Sequence, residues 1–232
     1  VNMKKRKKLE YASQIDIEFP LSSSKLKVPT WYKKAPKTYD GELSLLKQNK
    51  TMKYCTPFLD ALLSGYMLET QCDILVTKQG DYSRMDWIDA NIPPIIGSRE
   101  EEAMSTFDRG TSYTLDNFFW AVRTGFKTPP GYSLLLTHPL NRLDLPFTTL
   151  SGVIDADQGI HGGRFPFFLK KDFEGIIPAG TPFIQIIPFK RDNWVAKQNN
   201  KLKNSFAIST YRAGTKLFGW YKNEIWQRKE YE

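Results

Sequence analysis

Cysteine and histidine are scarce in this chain of 232 residues, which has two of each. Cys55 and Cys72 sit in apolar contexts without C-x-x-C or ligand-like spacing, so buried free thiols are favoured over a disulfide, and a reducing compartment fits. Long apolar runs are absent as well. None approaches the roughly 18 residues of a membrane-spanning helix. The basic start Met3-Lys4-Lys5-Arg6-Lys7-Lys8 is not followed by the apolar segment that a signal peptide requires, so neither membrane insertion nor export is expected. The 41% hydrophobic and 14% aromatic content is too high for a disordered chain. One globular domain with extensions is therefore expected.

The net charge of +8 is unevenly spread. Residues 1–55 hold 13 basic and 5 acidic side chains, residues 56–189 hold 10 and 16, and residues 190–232 hold 10 and 4. Basic ends around an acidic middle suit tails that meet an anionic ligand or nucleic acid. They equally suit tails that pack on the acidic body or on neighbouring copies of it.

Residues 1–10 read as a basic arm. Within residues 11–117, alternation from Ile15 to Phe19 suggests a strand that ends at Pro20. Thr56, Pro57 and the apolar set Phe58, Leu59, Leu62 and Leu63 predict a helix over about 56–65, closed by Gly65. Two short strands or a hairpin are expected between Tyr66 and Thr77, and a long connection with at most one short helix over 79–117. From Phe118 to 190 the character changes. Short runs at Phe118–Phe126, Tyr132–Thr137, Phe147–Ile154, Phe165–Leu169 and Phe183–Phe189 alternate with Pro and Gly turns, which argues for a mainly β barrel or sandwich. In the basic extension 191–232, Tyr221, Ile225 and Trp226 predict a second peripheral helix over about 219–229.

One constellation is more specific. Thr124-Gly125-Phe126 is followed by Pro129-Pro130-Gly131-Tyr132, then by Gly152-Val153-Ile154-Asp155-Ala156-Asp157, then by Gly180-Thr181-Pro182-Phe183-Ile184-Gln185. In order and spacing this resembles the central portion of the dUTPase and dCTP deaminase (β-clip) superfamily, over about 70 residues. The resemblance implies a β-clip fold, a homo-oligomer that is a trimer by analogy, and Asp155 as the carboxylate that orients a water on a nucleotide phosphate, with Asp157 beside it. An ionised, hydrogen-bonded aspartate suits that work. Turn-capping of their own backbone is the competing role for both aspartates.

The chain departs from that pattern where phosphates would be held. Pro139-Leu140-Asn141 stands in place of R-S-G, and proline has no N–H to donate. The stacking tyrosine after the aspartates is replaced by Gln158-Gly159-Ile160-His161. The Thr137-His138-Pro139-Leu140-Asn141-Arg142 loop, the hairpin and the Gly180 to Arg191 segment are similar to a family of uncharacterised phage and bacterial proteins. That similarity implies a viral setting, in the virion or the cytoplasm of an infected or host bacterium, and the scaffold motifs standing beside a missing phosphate clamp favour a binding or structural role that needs no cofactor. A nucleotide-processing hydrolase is the alternative, taking magnesium with its nucleotide. It would use Asp155 and a rebuilt phosphate site at Arg142 and Arg164, with Lys170 nearby. Tyr132, Asn141 and Gln185 complete the candidate ligand contacts, although Gln185 inside an apolar strand also reads as a core-facing amide that fixes a turn. A third reading takes His138, His161 and Asp155 as an iron-binding set for oxygen chemistry.

Overall fold

The computed structural model describes residues 6–40, 49–87, 89, 91–215 and 219–232. The chain is mainly β, with 34% of the described residues in strands and 21% in helices. It opens with β1 (Glu10–Ser13) and the two-residue β2 (Ser22–Ser23), then the short helices α1 (Thr30–Lys34) and α2 (Thr56–Leu63). Four short strands follow: β3 (Tyr66–Glu69), β4 (Ile74–Gln79), β5 (Tyr82–Trp87) and β6 (Ile96–Ser98). The central portion supplies β7 (Phe118–Lys127), β8 (Tyr132–Thr137), β9 (Phe147–Thr149) and β10 (Gly152–Ile154). After these come β11 (His161–Leu169), β12 (Gly175–Ile177), β13 (Pro182–Lys190) and helix α3 (Lys203–Thr215).

These strands form three open antiparallel sheets, and the described residues close no barrel. The first runs β1-β7-β11-β9, with β6 also paired to β7. Because β11 pairs with the same β7 residues as β6 at one end and β1 at the other, β1 and β6 must share the opposite edge of β7. The second sheet runs β10-β8-β13-β3-β2, and the third β12-β4-β5.

Strand alternation on β7 builds the core. Trp120, Val122 and Phe126 point inward, while Ala121, Arg123 and Lys127 are only partly covered, as the two-residue period of a half-buried strand dictates. The Trp120 ring stacks on Phe167 at 4.0 Å and meets Phe147 edge-on at 5.0 Å. Its indole N–H donates to Thr149 Oγ1 at 3.0 Å, and that hydroxyl donates to the Phe183 carbonyl at 2.7 Å. The large ring is thus buried with its one polar atom satisfied. Leu134 and Leu136 of β8, and Ile184 and Ile186 of β13, complete the same core.

Helix α2 forms where expected, with Pro57 in its first turn. Gly65 follows at φ +69°, and a Cβ there would lie 1.9 Å from the Ile186 carbonyl oxygen, so the chain can enter β3 only through glycine.

Other expectations shift. The first strand is Glu10–Ser13, upstream of the Ile15–Phe19 alternation, because pairing with Thr124–Lys127 decides it. The runs at 66–69 and 74–79 are strands but do not pair with each other: β3 joins β13 and β2, and β4 forms a hairpin with β5. That hairpin turns at Gly80, φ +67°, the first-position glycine of a tight turn whose twist matches the strands. Segment 79–117 is therefore not one long connection. The helix expected at 219–229 shrinks to one turn, Tyr221–Ile225, and α3 forms upstream of it.

The C-terminal extension leaves the body and returns. Trp194, Phe206 and Tyr211 are 88%, 74% and 71% exposed. The chain then docks again: Trp226 donates to Asp60 at 2.8 Å and the Tyr231 ring meets Tyr66 edge-on at 5.9 Å. Both cysteines are free thiols, with Cys72 buried.

Candidate functional site

The antiparallel β8–β10 pair brings Gly152–Ile154 opposite Leu134–Leu136, and the turn that follows delivers Asp155 and Asp157 to the start of β8 and the end of β13. Asp155 accepts from the Ser133 hydroxyl at 2.5 Å and from Arg191 Nη1 at 3.2 Å. Asp157 accepts from the Gly131 amide at 2.8 Å and from both terminal nitrogens of Arg191, Nη1 at 2.9 Å. Arg191 Nη1 also donates to Ser133 Oγ at 3.1 Å, and its amide bonds the Gly131 carbonyl at 2.9 Å.

The two carboxylates differ in access. The Asp157 side chain is 1% exposed and that of Asp155 59%. Hydrogen bonds from Arg191, then from the Gly131 amide, hold the Asp157 carboxyl far below the usual carboxylate range. Asp157 is thus a permanently ionised anchor that fastens the end of β13 to the hairpin, and it has no proton to exchange near neutral pH. Tyr132 is half-covered beside this knot, with Lys7 Nζ 5.3 Å from its ring centre.

The loop that stands where phosphates would be held is committed internally. Asn141 adopts φ +61° and its amide reaches the Phe58 carbonyl at 3.3 Å. Arg142 forms a two-pronged pair with Asp144 at 2.9 Å on each arm. Burial alone would raise the Asp144 pKa, but this pairing outweighs it and lowers it. Lys170 Nζ donates to the Leu143 carbonyl at 2.5 Å. Gln185 is fully buried. Its oxygen accepts from Leu140 N at 2.7 Å, and its nitrogen donates to the carbonyls of Ala61 and Ser64 at 2.9 and 2.5 Å. One amide thereby ties the loop to the end of α2.

The histidines do not converge with Asp155 on a metal site. His138 is largely buried, with Nε2 bonded to the Arg142 carbonyl at 3.1 Å and Nδ1 facing the Thr149 amide at 3.3 Å. Both ring nitrogens are therefore occupied by backbone, which leaves no lone pair for iron. His161 is exposed at the start of β11, paired with Phe126. Among the described residues no three His, Cys, Asp or Glu side chains are grouped to hold a metal ion, so the residues present do not fit an iron centre. Arg164 lies on β11 opposite Ala121, away from Asp155. The structure thus brings together Asp155 and Asp157, with the Tyr132 carbonyl accepting from Arg191 at 3.4 Å beside them, and leaves Arg142, Arg164 and Gln185 elsewhere.

Arg191 and Ser133 are the site residues that sequence reasoning missed. The only signal was an arginine closing the last apolar run, which a single sequence gives no reason to place against the aspartates. No protein-family model matches the chain, and no curated protein sequence matches it. No described helix is long and apolar enough to cross a membrane.

Proposed function

We propose that this chain is a phage-type protein with a dUTPase-like β-clip fold, acting as a structural or binding homo-oligomer without nucleotide hydrolysis. The observation that carries the reading is the Arg191 clasp on Asp157 and Asp155. The carboxylate that would orient a water is engaged by a guanidinium and a hydroxyl of its own chain. The arginine of the adjoining loop is likewise spent on Asp144. Self-association is supported by the exposed apolar side chains of the extension, Trp194, Val195, Phe206 and Tyr211. The opposite net charges of residues 56–189 and 190–232 agree with it. The phage setting, in virion or infected cell, and the trimer rest on the motif resemblance.

Asp155 remains 59% exposed, and this favours one second reading, a magnesium-dependent nucleotide hydrolase. The test is pyrophosphate release from a panel of deoxynucleoside triphosphates with magnesium. We expect no release above background. Release that disappears in Asp155→Ala would overturn the proposal and establish the second reading.

A further inference from the structure

A cleft of about 360 Å³ lies on the outer face of the β1-β7-β11 sheet, away from the hairpin aspartates. It opens because β1 and β6 share one edge of β7 without meeting: β1 covers Thr124–Lys127 and β6 covers Phe118–Trp120. Between them Gln14 and Ile95 reach the edge, Gln14 N donating to the Arg123 carbonyl at 2.9 Å and Ala121 N to the Ile95 carbonyl at 2.8 Å. Ala121 and Gly163 keep the floor low. The rim carries Arg123, Arg164, Phe119 and Pro94.

Register explains the convergence of the two arginines. Arg164 pairs directly with Ala121, so its side chain shares a face with Arg123 and Phe119, its diagonal neighbours on β7. The Arg164 guanidinium lies 5.2 Å from the centre of the Phe119 ring, and Arg99 lies 5.4 Å from it. Phe119 in turn covers Gly97, where a Cβ would fall 2.3 Å from the ring. The ring is therefore held as a fixed wall.

The charge in this cleft is uncompensated. No carboxylate lines it. The ion-paired arginines among the described residues are Arg6, Arg84, Arg142, Arg191 and Arg228. Arg123 donates only to the Pro94 carbonyl at 3.3 Å, and its Nε is buried without a partner. A buried guanidinium N–H left unpaired is costly, and two guanidiniums without a carboxylate partner over a shallow concavity match the forked geometry that recognises a phosphate. The volume lies in the range of small-molecule sites.

We infer that this cleft binds a small organic phosphate, the phosphate held by Arg123 and Arg164 and the organic part laid against Pro94 and the edge of the Phe119 ring. The inference stands apart from the homo-oligomer reading, since every residue of the site belongs to one chain. The test is calorimetric titration of the full chain with inorganic phosphate, acetate and phenyl phosphate at low ionic strength. Saturable phosphate binding is expected, with phenyl phosphate several-fold tighter. Arg164→Gln, an exposed position that leaves the fold intact, should weaken phosphate at least tenfold. Arg123→Lys should weaken it less than Arg123→Gln, and Arg84→Gln on β5 should leave it unchanged. Absence of saturable binding, acetate binding as tightly as phosphate, or equal affinity in wild type and Arg164→Gln would each overturn the inference.

Discussion

Replacing Gln185 by leucine tests how the loop over 139–142 is held. The change nearly conserves volume, so no cavity term confuses the result. It strips partners from three backbone groups that Gln185 now satisfies: the Leu140 amide and the Ala61 and Ser64 carbonyls. Gln185 is wholly buried, so water cannot replace it without local opening. An unsatisfied buried backbone group costs about 1–3 kcal/mol, and the added apolar contact of leucine returns about 1 kcal/mol. With each of the three groups taken near the lower end of that range, the net loss should be about 3 kcal/mol. For a chain of this length that is a fall in Tm of roughly 6–12 °C. Urea denaturation followed by tryptophan fluorescence gives the free energy directly, with an unchanged slope expected because the exposed surface is the same. Gln198→Leu, at an exposed position, should be near neutral. A loss under about 1 kcal/mol for Gln185→Leu would refute the claim that one amide anchors both the loop and the helix end.

Gly65→Ala should destabilise by several kcal/mol or prevent folding, since the new methyl meets backbone at Ile186 and φ is positive; a thermal melt equal to wild type would contradict the packing. His138 is pushed below its ordinary pKa of 6.5, chiefly by burial, with the Lys170 and Arg142 charges acting in the same direction. A base with a depressed folded pKa gives stability that is complete above 6.5 and is lost as the pH falls from there toward the folded value. Melting temperatures between pH 7.5 and 5 should therefore decline more steeply in wild type than in His138→Gln, and parallel profiles would count against the burial. Trp226→Ala removes the donor to Asp60 and should release the C-terminal residues. Protease cleavage after residue 219 should become much faster, and an unchanged rate would mean that docking is held by other contacts.

Three of the β runs were legible because they carry their own period, whereas β11 begins at His161, four residues before the Phe165 start of its apolar run. Phe118–Phe126, Tyr132–Thr137 and Phe183–Phe189 become β7, β8 and β13 within a residue or so, and the Thr56-Pro57 start placed α2. Pairing was not legible. The strands at 66–69 and 74–79 look like a hairpin in sequence but separate into different sheets, a choice made by distant partners whose patterns are equally apolar. Helix α3 gave no signal, holding two Ser, two Thr and one Asn and no apolar stripe. At the site, both hairpin aspartates and Gln185 could be singled out through the motif resemblance. The clasp by Arg191 could not, because a charge pair between positions 157 and 191 exists only after β8, β10 and β13 have aligned.

The central claim of the proposal is that the hairpin carboxylates, Asp157 above all, hold the structure together. A double-mutant cycle on Asp157→Ala and Arg191→Ala, read by thermal denaturation, tests it most directly. The account predicts that each single change lowers Tm clearly, that the double variant melts no lower than the worse single, and that Asp155→Ala has a smaller effect. Additive losses, or an Asp157→Ala protein that melts like wild type, would contradict it.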